Sequence, residues 1–463
     1  MYACVNVIIY KMKTHRGRKM LKLTNTYSGK EEEFKPIKQG HVGMYVCGVT
    51  PYDKTHVGHG RCYVAFDLLY RLLSFLGYKV TYCRNFTDVD DKLLNKAKQE
   101  FGDRSRYKEI AEKFINLYKQ NMLDLNCKTP DYQPKVTENI PEIIDFVQGL
   151  IDAEKAYAVD GNVYFSVESF SEYGKLSKHK TEDLQVGARV KVDQKKRNPL
   201  DFALWKSEKE GTFWKSPWGY GRPGWHIECS AMALKYLGEQ IDIHGGGRDL
   251  IFPHHENEVA QSEGLLGREF VRYWVHNGFI RLKDEKMSKS LGNVFFLSDL
   301  FKEYDPILLR FYFFSHQYRA PVDFSLNDIE SLAKSYNRLV RVLGPYAKSV
   351  VDKDTMLKSE TVKKMLEFLL DDLNTPGAFG VLFESLDSLE KDEMKAQSVA
   401  TFLVDVIGLP LQQLKEKVVK ITPEIQKLID DREQARNDKN WSLADEMRDK
   451  LVAMGVKIQD KKL

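Results

Sequence analysis

Apolar and polar positions near the start of this chain fall into a strand–helix–strand order. The apolar run at residues 43–49 reads as a buried strand. Cys62, Phe66, Leu69, Leu73 and Leu76 then recur at helical spacing, on one face. Gly77 supplies a C-terminal stop, and Tyr78–Cys83 reads as a second strand. Strand, glycine-bearing loop, helix and strand in this order make a βαβ unit, which predicts a parallel sheet. Such sheets bind ligands at the C-terminal ends of their strands, where the loop 50–61 lies. Further along, 92–150 reads as helical and 157–215 as irregular and strand-rich. Residues 225–300 read as helices alternating with glycine loops, 325–408 as long amphipathic helices, and 423–454 as a helical pair with Asn440 and Trp441 near its turn.

Composition narrows the class without naming a function. At 463 residues the chain has room for about three domains. An apolar content of 43% excludes disorder for the bulk of it. Six cysteines form no paired framework, so a disulfide scaffold is excluded and a reducing cytoplasm is the expected compartment. No apolar run approaches the ~20 residues of a membrane helix. The net charge of +4 neither predicts nor excludes a nucleic-acid partner, because only local patches matter. Residues 1–19 are basic with no acid, and are expected to be an extension ahead of a second start at Met20.

Two short motifs carry chemistry. His56-Val57-Gly58-His59 sets two imidazoles three apart at a helix start, where free N–H groups and the dipole suit a phosphate. Lys286-Met287-Ser288-Lys289-Ser290 offers two mobile point charges in a short loop. Each alone recurs by chance. In one chain, in this order, they resemble the nucleotide-binding signatures of class I aminoacyl-tRNA synthetases.

The residues between them are more specific. Tyr45–Thr50, Asn85–Lys92, Gly224–Met232 and Asp242–Glu258 resemble the cysteinyl-tRNA synthetase family, and the likeness runs from about Leu21 to the C-terminus. It implies one active-site Zn²⁺ per chain held by Cys47, Cys229, His254 and Glu258. Only the last pair is legible from spacing, since residues four apart share a helix face. It further implies that Gly48, Thr87 and Trp225 line a cysteine pocket. His56, His59, Lys286 and Lys289 serve catalysis, and ATP binding falls to His56, His59, His244, Asp249 and Lys289, with Mg²⁺ on the ATP. Two departures stand out: Asp284 where a glycine is usual, and Val57 where isoleucine is common.

The implied fold is α/β. A Rossmann-type parallel-sheet catalytic domain with an inserted connective segment precedes an α-helical bundle and a small anticodon-binding domain. Its expected boundaries are 20–130 and 221–299 for the catalytic halves, 131–220 for the insertion, 300–326 for a stem-contact region, 327–410 for the bundle and 411–463 for the anticodon domain. The implied partners are ATP, L-cysteine and tRNA(Cys), with no membrane, acting as a monomer. An insertion this short leaves no room for a separate editing domain. Two rivals are a ligase passing activated cysteine to a sugar amine and a non-catalytic RNA-binding relative. The C-terminal helices argue against the first, and the intact ligand and ATP motifs against the second.

Overall fold

A computed structural model describes residues 19–179, 194–282, 294–415 and 422–451, with the backbone of 285–286 and 452–453. Lys283 and Asp284 lie outside the described residues, and so do Met287–Asn293 with Lys289 among them.

The strand–helix–strand unit forms close to where the pattern puts it. Strand β1 is His41–Val46, helix α1 Val57–Phe75 and strand β2 Lys79–Cys83. Cys62, Phe66, Leu69 and Leu73 are all buried, which is the face the periodicity marks. Gly77 ends the helix at φ +99°, a left-handed value that glycine adopts without strain. The chain returns to the same sheet through α2 (Ile227–Leu237), β3 (Ile241–Gly247), α3 (Glu256–Leu266) and β4 (Val271–Asn277). The sheet order is β4-β3-β1-β2, and every pairing is parallel. Gly245 on β3 lets the Phe66 ring of α1 press against the sheet, since a Cβ there would overlap it.

The chain thus leaves β1 towards β2 on one side and later returns to pair β3 on the other. The loops after β1 and β3 therefore part in opposite directions, and the gap between them is the crevice where open α/β sheets bind ligands.

Between β2 and α2 lie three helices, 91–101, 107–124 and 140–152, and then an antiparallel five-stranded sheet within 156–223. Helix α4 (Pro306–Phe314) leads into a bundle of α5 (Leu326–Leu343), α6 (Glu360–Leu369), α7 (Thr375–Leu389) and α8 (Glu393–Phe402). The helical pair α9 (Pro423–Asn437) and α10 (Trp441–Ala453) closes the described chain. No helix among the described residues is long and apolar enough to cross a membrane.

Buried charge joins the bundle to the sheet. Asp67 of α1 accepts from Arg71 Nε at 2.7 Å, from Arg310 Nη2 of α4 at 2.6 Å and from the Lys128 amide at 2.7 Å. Burial alone would raise its pKa, but the two guanidinium groups hold it below the usual carboxylate value. Arg310 also donates to the carbonyls of Leu125 and Ile407, so one residue ties three segments. Removing one member leaves the others buried and unmatched, a loss of about 3–5 kcal/mol. Asp67→Ala is therefore expected to lower the urea midpoint of unfolding clearly. An unchanged midpoint would show the network to be dispensable.

Candidate active site and metal centre

The sheet's switch point holds a cleft of about 330 Å³. One wall is the first turn of α1. His59 N–H donates to His56 Nδ1 and His56 N–H to His59 Nδ1, each at 3.3 Å, a reciprocal cap. A backbone N–H can only donate, so both Nδ1 atoms accept and each neutral ring carries its proton on Nε2. The rings stack at 3.6 Å and both line the cleft. The turn thus sets two imidazole Nε2 donors at the N-terminal end of a helix, a setting suited to phosphate oxygens.

The floor of the cleft is a second group. Cys47 leaves the end of β1, Cys229 sits in the first turn of α2, and His254 and Glu258 flank the start of α3. Their donor atoms lie within 4.8 Å of one another, and all four residues are buried. Cys47 Sγ is 3.7 Å from Cys229 Sγ and 3.4 Å from Glu258 Oε1, and His254 Nε2 is 3.1 Å from that same oxygen. A tetrahedral ion with ordinary metal–sulfur, metal–nitrogen and metal–oxygen bonds needs edges of about 3.3–3.8 Å. The observed edges match that range to within a few tenths, and 3.7 Å is far too long for a disulfide. The residues present fit a metal ion.

His254 does not lie in α3 itself. It ends a wide helical turn at Ile251–His255 that Phe252 interrupts with an extended backbone, and α3 begins at Glu256. The four-residue spacing still brings His254 and Glu258 together.

The same donors can be grouped differently, since Cys47, His244, His255 and Glu258 are also mutually close. Cys47 and Glu258 belong to both sets. Cys47, Cys229 and His254 line the cleft, whereas His244 and His255 are wholly buried behind it. Only the first set can present an ion to a ligand. The second forms a supporting layer: His244 Nε2 meets Glu258 Oε2 at 2.8 Å, His255 Nε2 lies 3.3 Å from Cys47 Sγ, and His255 Nδ1 is 2.7 Å from His276 Nε2.

Electrostatics follow from this packing. Burial pushes the Cys47 thiol well up, and the Cys229 and Glu258 charges add to it. The hydrogen bond from Cys47 brings Cys229 down to about 6. Burial works against charge on His254, but bonds to Cys229 and Glu258 raise it to about 10. Burial likewise opposes ionisation of Glu258, yet His244 and His254 hold it at about 2. Burial keeps His255 and His276 neutral.

Other residues singled out in the sequence fall as follows. Gly48, Thr87, Trp225 and Asp249 line the cleft, and the Trp225 indole is 38% exposed at its mouth. Gly48 packs so tightly on residue 85 that a Cβ would overlap the Asn85 carbonyl. His244 does not line the cleft: strand β3 turns it inward, stacked on Trp274 and bonded to Glu258. Lys286 lies on a short strand paired with Arg281, and Lys289 lies outside the described residues. The chain at 295–297 is fixed against the start of α1. Phe295 O accepts from Val57 N at 2.9 Å, and Leu297 N donates to Thr55 O at 2.8 Å, beside the His56 turn.

Sequence reasoning missed Arg61, Asn85 and Glu228. The buried Arg61 guanidinium donates to five carbonyls, those of Gly278, Phe279, Gln317, Tyr318 and Ala320. It fastens α1 to the turn that leads towards Lys286. Asn85 Oδ1 accepts from Gly48 N at 2.9 Å, and Glu228 Oε2 accepts from Thr87 Oγ1 at 2.8 Å. A polar residue inside an otherwise apolar helix face was the one available signal for Arg61.

Comparison with known proteins agrees with this geometry. Residues 33–334 match the model of the class I (C) tRNA synthetase catalytic domain, and residues 419–463 match the cysteinyl-tRNA ligase anticodon-binding domain. The chain is similar to the cysteine–tRNA ligase of Geobacter sulfurreducens, 43% identical over 95% of this chain and 98% of that one. A Geobacillus cysteine–tRNA ligase is 46% identical over 95% and 97%. Among solved structures, Mycobacterium tuberculosis methionyl-tRNA synthetase in complex with methionyl-adenylate aligns with a TM-score of 0.54 at 15% identity, over 80% of this chain and 90% of that chain. That likeness concerns the fold alone. With a catalytic-domain model spanning most of its length and relatives above 40% identity along nearly all of it, the chain belongs to the cysteinyl-tRNA synthetase family of class I synthetases.

Proposed function

We propose that the chain is a cysteine–tRNA ligase, activating L-cysteine with ATP and passing it to the 3′-terminal adenosine of tRNA(Cys). One observation carries the reading: a buried Cys47–Cys229–His254–Glu258 cluster with tetrahedral edges opens on a cleft whose other wall is the imidazole-bearing turn of α1. The donor set, two sulfurs with imidazole and carboxylate, favours Zn²⁺ over a hard cation. When bound, zinc supplies a soft Lewis acid that takes the substrate sulfur as thiolate.

The chain's own residues supply the rest. Gly48, Thr87 and Trp225 enclose the amino acid. His56 and His59 direct Nε2 protons at the phosphates, and Asp249 faces the adenosine. Lys286 and Lys289 complete the charge on the pyrophosphate side, with Mg²⁺ accompanying ATP. His244 is better placed to steady Glu258 than to touch the nucleotide. In the first step the cysteine carboxylate attacks the α-phosphorus and pyrophosphate leaves. In the second the ribose hydroxyl attacks the acyl carbon and AMP leaves. Neither needs a protein nucleophile, so catalysis is positioning and charge stabilisation. Two reactive thiols at the centre support a reducing cytoplasm.

Three outcomes are expected. Burial and the neighbouring charges raise the Cys47 thiol, and bonds to Cys229 and Glu258 raise His254, so zinc loading at neutral pH is expected to release protons. Both groups must lose their protons to bind, so zinc affinity falls as pH drops. Calorimetry in buffers of different ionisation enthalpy measures the release, and zero release would contradict the assignment. Zinc-stripped protein is expected to lose cysteine binding and keep ATP binding; undiminished cysteine affinity would refute the selecting role. Lys289→Ala is expected to slow cysteine-dependent ATP–pyrophosphate exchange by about 10²–10³ with little change in cysteine affinity. Equal losses in both would remove Lys289 from the reaction.

A further inference from the structure

A buried carboxyl backs the wall of the cleft at Thr87. It belongs to Glu228, in the first turn of α2, which is 1% exposed and does not itself line the cleft. Glu228 has no ion pair among the described residues. Its side chain is bonded instead to a neutral group: Oε2 lies 2.8 Å from Thr87 Oγ1, and Thr87 does line the cleft.

A threonine hydroxyl has one proton and two lone pairs. Here the proton goes to Glu228. Asn85 Nδ2, at 3.5 Å, directs an N–H at one of the lone pairs. The Asn85 amide is held in that sense, because its Oδ1 already accepts from the Gly48 N–H at 2.9 Å. Thr87 is left with one lone pair and no proton to give. A ligand in the cleft therefore meets an acceptor at this point and not a donor.

We propose that Glu228 is a positioning residue for the amino acid: by taking the Thr87 proton it makes Thr87 an acceptor for the ammonium of the bound cysteine. The inference rests on the ligase reading above. The two charged ends of an amino acid differ in hydrogen-bonding sense, since an ammonium only donates and a carboxylate only accepts. A carboxylate at Thr87 would set lone pair against lone pair. The ammonium takes that place, and it brings a cation beside a buried carboxyl that has none. With the sulfur and the ammonium both held, the group left free is the carboxylate, which is the one that reacts.

The test is calorimetry on the zinc-loaded full chain with three thiols. They are L-cysteine, cysteamine, which lacks the carboxylate, and β-mercaptopropionate, which lacks the amine. Thr87→Val, of matched shape, and Glu228→Leu are each expected to weaken cysteine and cysteamine about tenfold. Both should leave β-mercaptopropionate and ATP at wild-type affinity. The double variant should lose no more than Thr87→Val alone, since Glu228 acts through the hydroxyl. The opposite pattern, with β-mercaptopropionate weakened and cysteamine unchanged, would overturn the proposal by placing the carboxylate at Thr87. Unchanged cysteine affinity or additive losses would overturn it as well. So would equal weakening of all three thiols with loss of zinc, which marks a merely structural role. A wild-type chain that binds no cysteine would instead refute the ligase reading itself.

Discussion

Four buried donors have to converge from three separate stretches of chain, and most of the catalytic domain can be understood as the means of holding them. Two cysteines, a histidine and a glutamate, each under 6% exposed, are costly company without a cation. Cys47 and Cys229 are joined by no local structure. The ends of β1 and α2 must be set relative to one another by the sheet before a tetrahedral geometry exists. The layer behind them limits further movement. His244 and His255 each have a ring nitrogen on a cluster atom, His276 backs His255, and Thr26 Oγ1 is 2.7 Å from His276. A ligand so buttressed keeps its orientation when the ion is absent, which is how the supporting shell tunes a metal site.

A second set of buried polar groups fixes how the remaining elements meet this core. Arg61 and Asp67 lie six residues apart on α1 and point to different neighbours. Arg61 holds the turn after β4 and the 317–320 segment, while Asp67 holds α4 and through Arg310 the end of the bundle. Desolvation lowers the Arg61 pKa to about 10, and five carbonyl dipoles stand in for a carboxylate partner. α1 is consequently more than a wall of the cleft. It carries the His56–His59 turn at one end and fastens down the flanks along its length. A displacement of α1 moves that turn together with the turn at Gly278 and Phe279.

The hydrophobic pattern was enough for α1, β1 and β2, because a half-buried helix and a buried strand leave a periodicity in the chain. It was enough also for the bundle and the final helical pair. Other features leave no such trace. The pairing order of the insertion sheet depends on contacts between strands, such as Phe165 with Phe202, that lie far apart in sequence. Arg61 went unmarked, since carbonyls supplied by distant loops cannot be seen in residue types. Spacing did bring His254 and Glu258 together, though the helix it implied begins only at Glu256. The full ligand set came from family resemblance and never from the 182-residue gap between the cysteines. His244 was expected beside the adenosine, and alternation along a buried strand is what turns it inward instead.

Selection of cysteine and its activation share one short piece of chain. A pocket that reads only shape separates near-isosteres such as cysteine and serine by about 1–3 kcal/mol. Coordination of the substrate sulfur, as proposed, would separate them by bond type, because oxygen is a poor match for a soft site built on thiolates. Cys47 is one of the four residues that would hold the ion, and the imidazoles proposed to meet the phosphates begin at His56 on the same loop. A substrate anchored there through sulfur would lie in the cleft that the first turn of α1 also lines. A hydroxyl compound lacks that anchor and loses the alignment with it. On the proposed reading, discrimination would then be expressed in the rate of adenylation as well as in binding.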